Sequence, residues 1–238
     1  VSPFAWILAL LITFAAAAIQ GAVGVGFAMV SVPLLALIDP RLAPVPQVLL
    51  ALPLTLTMAW RERGHIHLRR IRWIMAGRIP GAAVGVALLA VATQQLLDLA
   101  IAVTVLLAVA IIGSGYFVAR NAATEFGAGV LSGATGLVAS IGGPPLALLY
   151  AGERGPIARS NLAVVFTFGL SVSVVFRLAS GNIGWGDARV AAVLFPALLA
   201  GYSLSGLFKD RLNRRQLRNA ILTLSTIGAL GLIVRVAF

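Results

Sequence analysis

Residues 1–38 carry no charged side chain, and seven further charge-free stretches follow at 42–60, 79–97, 99–119, 126–152, 160–176, 190–208 and 219–234. Most match the roughly 20 apolar residues that cross hydrocarbon as an α-helix. A transmembrane barrel would instead need short segments alternating apolar and polar residues, a pattern this chain does not show. With 60% hydrophobic and 11% charged residues, the chain is too apolar for a soluble domain of 238 residues. The expectation is an all-α polytopic membrane protein with eight hydropathy segments in a cell inner (plasma) membrane, where the lipid bilayer is an obligatory partner.

Two of the eight stretches are too long for one crossing. A helix of 38 residues would extend about 57 Å, nearly twice the hydrocarbon thickness. The excess exceeds a signal peptide as well, so the opening stretch is read as mature structure. Near its middle lies Gly21-Ala22-Val23-Gly24-Val25-Gly26, and Gly21 through Leu34 aligns without gaps on Gly133 through Leu146. Gly21/Gly133, Ala22/Ala134, Gly24/Gly136, Pro33/Pro145 and Leu34/Leu146 are identical pairs. Glycine and proline interrupt helices, and paired interruptions in the two halves of a membrane protein point to a binding site.

The echo continues through Gln47/Asn161, Gly64-His65-Ile66/Gly181-Asn182-Ile183, Pro80/Pro196 and Gly85/Gly201, with offsets of 114 to 117. Corresponding loops differ in charge: the basic 61–72 loop matches the near-neutral 178–189 loop, and the neutral 92–98 loop matches the basic 209–218 loop. That exchange is expected of inverted copies. Each copy, 1–119 and 120–238, would hold one broken or re-entrant helical hairpin and three transmembrane helices.

Charge supports the doubled path. If 1–38 and 126–152 each go in and return, Arg61, Arg63, Arg69, Arg70 and Arg72 share a face with Lys209, Arg211, Arg214, Arg215 and Arg218. Each loop also holds one acid, Glu62 or Asp210, and together with Arg120/Glu125 and Glu153/Arg154/Arg159 that face carries about +9 and the other about −1. Single crossings would divide the two basic loops between the faces and leave no positive-inside bias. The net charge of +11 is therefore a topology signal rather than a nucleic-acid footprint. The hairpin tips would meet near the midplane, with both termini outside the cytoplasm.

Zero cysteines and two histidines confined to one loop leave no distributed metal site, and no cofactor is expected. An intramembrane hydrolase would need a nucleophile beside its base, but His65 and His67 are remote in sequence from Ser132 and Ser140. The acidic residues Asp39, Glu62, Asp98, Glu125, Glu153, Asp187 and Asp210 all fall at or beyond the ends of charge-free stretches. None is placed for an intramembrane proton relay.

Helices restarting after Gly26 and near Pro144 would aim free N–H groups and positive dipole ends into a wet cavity, which suits an anion. The candidate substrate-binding residues are Gln20, Gly21, Gly24, Gly26, Gln47, Thr135, Gly136, Ser140, Gly142, Gly143 and Asn161. Ser132 adds a further hydroxyl. The alternative for the glycines is close helix packing; for Asn161 it is helix capping. Arg78 either snorkels to the cytoplasmic interface or attracts an anion there with its planar fork. Arg177 has the same two readings on the opposite face.

These residues resemble the sulfite exporter TauE/SafE family of bacterial permeases. The resemblance rests on Gly21-Ala-Val-Gly-Val-Gly-Phe with Val32-Pro33-Leu34, and on Trp60-Arg-Glu-Arg-Gly-His-Ile ahead of Gly81 and Gly85. Gly133-Ala-Thr-Gly, Gly142-Gly-Pro-Pro and Arg159-Ser-Asn161 carry it in the second copy. It implies export of sulfite, sulfonates or a similar small sulfur-containing anion. The first copy is poorer in hydroxyls, with Val23 and Val25 against Thr135 and Leu137, so a two-fold symmetric site is not expected. Alternating access between the tips is the expected mechanism; a passive anion channel or a non-transporting assembly subunit is the alternative. The sequence leaves self-association into a homo-oligomer open.

Overall fold

The computed structural model describes the chain except Tyr116, Phe117, Ala151, Gly152, Arg154, 209–213 and Phe238, and gives backbone alone for 207–208 and 214–217. Arg154 and most of the basic 209–218 loop therefore lie outside the described side chains. Ten α-helices make up the described fold: α1 (Pro3–Val23), α2 (Phe27–Ile38), α3 (Val45–Arg61), α4 (Arg72–Val91), α5 (Gln94–Ser114), α6 (Ala122–Ala139), α7 (Gly143–Tyr150), α8 (Gly155–Ala179), α9 (Trp185–Phe208) and α10 (Arg214–Ala237). Short 3-10 turns precede α3 and link α3 to α4.

Seven helices among the described residues are long and apolar enough to cross a membrane, one fewer than the eight hydropathy segments. The missing one is 126–152, which divides into α6 and α7. Glu125, Thr124 and four glycines dilute the apolar character of α6, and α7 has only 8 residues. The opening stretch divides as well, but unequally. Its break falls at 24–26, so α1 alone, at 21 residues, can cross, and α2 has 12.

Each break has a local cause. Gly24 ends α1 in the left-handed conformation (φ 99°), its N–H donating to the Gln20 carbonyl at 2.7 Å. Gly26 follows at φ 128°, which a side chain would strain. In the second copy Ser140 takes the left-handed position (φ 61°), and Pro144 and Pro145 occupy the first turn of α7, where a missing N–H costs nothing.

Around the breaks, α1 packs along α9 and α6 along α4, while α3 meets α8 and α5 meets α10. In α4 and α6 the backbones all but touch. A Cβ on Gly77 or Gly81 would strike the carbonyls of Phe126 or Val130, and one on Gly129 would strike the carbonyl of Ile74. Small residues permit this approach, and close backbone packing holds helices together where no hydrophobic drive exists between them. On the opposite side of α1, Phe4, Ile7 and Leu11 are exposed at helical spacing, a face fit for lipid, while Ala9, Thr13, Ala16 and Ala17 are buried.

Two acidic residues lie just inside the starts of helices, where protein buries them. Asp98 sits in α5, 4% exposed, and pairs with Arg235 of α10, which also donates to the Ala36 carbonyl. Glu125 lies in the first turn of α6 and pairs with Arg120 at 2.9 Å. The charge-free stretches therefore misjudge several helix ends: α4 begins at Arg72 rather than 79, and α5 at Gln94 rather than 99.

Candidate anion site

One cavity lies midway along α3 and α8, where both breaks converge. Gln20, Val25 and Gly26 reach it from the first copy, and Gly136, Ser140 and Gly142 from the second. Ala51 and Thr55 of α3 and Phe166 and Leu170 of α8 complete much of the wall. Projecting into it from α4 is Arg78.

Arg78 is 1% exposed, and its Nε and Nη1 have no hydrogen-bond partner. It is buried in the bundle, not splayed to an interface. Its position follows from glycines on two neighbouring helices. Gly133 of α6 lies against the Arg78 backbone, where a Cβ would come within 2.5 Å of its carbonyl oxygen. Gly169 of α8 leaves the space that the guanidinium fills; a Cβ there would strike Nε. Beyond it, Cβ atoms at Gly136 or Gly142 would stand 3.2 Å from Nη2. The Phe166 ring centroid is 6.0 Å from the guanidinium carbon, at the outer reach of a cation–π contact. Arginine stays protonated at any ordinary pH, and a buried cation without a partner is costly. An anion in the cavity would relieve that cost.

The polar wall is mostly committed elsewhere. Gln20 Oε1 accepts from the Phe27 N–H at 2.9 Å, bridging the first break and capping α2. Ser140 Oγ donates to the Pro44 carbonyl at 2.9 Å, and Thr55 Oγ1 to the Leu52 carbonyl at 3.1 Å. Behind the wall, Ser132 Oγ donates to the Gly142 carbonyl and fixes the second break.

Of the residues singled out in the sequence, the cavity brings together Gln20, Gly26, Gly136, Ser140, Gly142, Gly143 and Arg78. Gly21, Gly24, Gln47, Thr135, Asn161 and Arg177 are not on its wall. Gly21 packs on α9, where a Cβ would strike Ser205, and Gly24 lies under Arg159. Gln47 is fully buried and donates from Nε2 to the Leu42 carbonyl at 3.1 Å. Thr135 turns its hydroxyl back to the Leu131 carbonyl. Asn161 accepts the His67 N–H at 3.0 Å and ties α8 to the α3–α4 loop.

Arg177 donates to the Leu137 and Val138 carbonyls at the end of α6. Arg61 does the same for α1, donating to the Gly21 carbonyl at 2.6 Å. The sequence reading placed Arg61 among topology signals, yet it lies 116 positions before Arg177, inside the repeat's own range of offsets. That register was the available clue. Gly169 and Phe166 were missed too, and no local motif marks either.

No curated protein and no solved structure matches the chain. The family model described as sulfite exporter TauE/SafE matches residues 9–232, which include both breaks and every residue on the cavity wall. The chain belongs to the sulfite exporter TauE/SafE family.

Proposed function

We propose that this chain is an inner-membrane transporter that exports a small sulfur-containing anion, sulfite or a sulfonate, by alternating access. The single observation that carries the reading is the unpartnered Arg78 guanidinium in a cavity walled by both helix breaks. Family membership supplies the substrate class, and the buried cation supplies a physical reason for an anion. Gln20, Gly26, Gly136, Ser140, Gly142 and Gly143 surround the substrate in this reading, near the bilayer midplane. An anion leaving a negative interior gains about 2.3 kcal/mol per charge per 100 mV, so export needs no coupling ion.

The two copies, 1–119 and 120–238, are taken as inverted repeats. A two-fold relation between them is supported by the helix pairs, which exchange when the halves are swapped: α1 with α9 corresponds to α6 with α4, while α3 with α8 and α5 with α10 map onto themselves. The exchange of basic and neutral loops favours the inverted sense. Rocking of one copy against the other would then expose the cavity to alternate faces.

The test is uptake of labelled sulfite into proteoliposomes. Arg78→Gln should reduce saturable uptake at least tenfold, a loss of about 1.4 kcal/mol or more, with Arg78→Lys retaining part of it. Wild-type uptake accelerated by unlabelled sulfite on the opposite side marks a carrier, since a channel shows no counterflow. Undiminished flux in Arg78→Gln would remove the cation from the mechanism.

A further inference from the structure

We infer that the cavity takes its substrate as a singly charged oxyanion, hydrogensulfite or a monosulfonate headgroup, and excludes dianions such as fully ionised sulfite and sulfate. This rests on the reading of the cavity as the transport site, and it specifies the ionic form that the site accepts.

Charge balance comes first. Arg78 is the one basic residue among the described residues on the cavity wall, and no carboxylate lies there. One fixed positive charge neutralises one negative charge. A dianion would leave a net negative charge in a space walled largely by Phe27, Met29, Ile141, Phe166 and Leu170, where unbalanced charge is poorly tolerated.

Several donors on the wall are already used or missing, and those that are left are neutral and cannot balance a second charge. The Phe27 N–H at the start of α2 is taken by Gln20. At the start of α7, Pro144 and Pro145 have no N–H to offer. The hydroxyls of Ser140 and Thr55 donate to backbone carbonyls. The one charged group on the described cavity wall is the guanidinium of Arg78, whose Nε and Nη1 have no hydrogen-bond partner. Size agrees: the cavity volume is about 40 Å³, room for about three waters, and thus for a compact headgroup.

The cavity wall contains no titratable side chain other than Arg78 from α1, α2, α3, α4, α6, α7 or α8. Any pH dependence of sulfite binding should therefore come from the substrate. The experiment uses proteoliposomes of the full chain at constant total sulfite, on the acid and alkaline sides of sulfite's second ionisation, with protein-free vesicles subtracted. Methanesulfonate, a monoanion throughout, and sulfate, a dianion throughout, serve as competitors. Initial uptake should fall in proportion to the hydrogensulfite fraction. Methanesulfonate should inhibit equally at both pH values and sulfate at neither. Uptake that follows the dianion, or sulfate competing as well as methanesulfonate, overturns the monoanion inference while leaving anion transport intact. Absence of saturable uptake, with no inhibition by either anion, overturns the inference and the transport reading together.

Discussion

Gln20 and Arg78 show how one residue can serve the fold and the site at once. The side-chain oxygen of Gln20 holds the restart of α2, while the residue also faces the cavity that contains Arg78. Gln20→Glu keeps an acceptor for the Phe27 N–H and adds a negative charge opposite the substrate. Thermal stability in detergent should hold, whereas affinity for sulfite should fall at least tenfold, about 1.4 kcal/mol. Isothermal titration of the purified variant checks both the heat of binding and the amount of folded protein; unchanged affinity would place the substrate away from Gln20. The sequence made Gln20 visible because it stands just before a glycine break. It could not separate Arg78 from an interfacial arginine, since the niche for its guanidinium is created by Gly133 and Gly169, 55 and 91 positions away. Burial of that kind is a property of packing between helices and leaves no local pattern.

At the scale of elements, the breaks are clamped by arginines from the helices that follow them. Carbonyls at the last turn of a helix lack intrahelical partners, and the negative end of the helix dipole attracts a cation. Arg61 meets this need for α1 and Arg177 for α6. Arg177→Gln should therefore cost about 1.5–3 kcal/mol of stability, the value of hydrogen bonds to a charged donor. Its signature is a lowered unfolding midpoint in detergent with sulfite affinity largely kept in the folded fraction. A variant with wild-type stability but no binding would instead put Arg177 in the substrate path. Helix interruptions were readable from Gly21–Gly26 and Gly142–Pro145, because backbone angles and missing donors are local properties. Their unequal arms were not. Apolar runs such as 1–38 carry no mark of depth, and Asp98 and Glu125 mark the ends of apolar runs without showing that each is buried against a partner, Arg235 or Arg120.

For the whole molecule, the exchange of basic and neutral loops between copies makes a claim about which faces they occupy. Gly64, between α3 and α4, and Gly186, at the start of α9, both have open space around the position a Cβ would take. Neither has a backbone conformation that a side chain would strain, and the chain has no cysteine of its own. Gly64→Cys and Gly186→Cys therefore each introduce one reactive thiol with little disturbance. If the copies are inverted, the loop with five arginines lies in the cytoplasm, as the positive-inside rule demands, and its repeat counterpart lies outside. A membrane-impermeant maleimide applied to intact cells should label Gly186→Cys and spare Gly64→Cys, which should react only after permeabilisation. Labelling of both from outside, or of Gly64→Cys alone, would break the inverted arrangement. It would also remove the symmetry by which two oppositely oriented breaks can present one Arg78 cavity first to one face and then to the other.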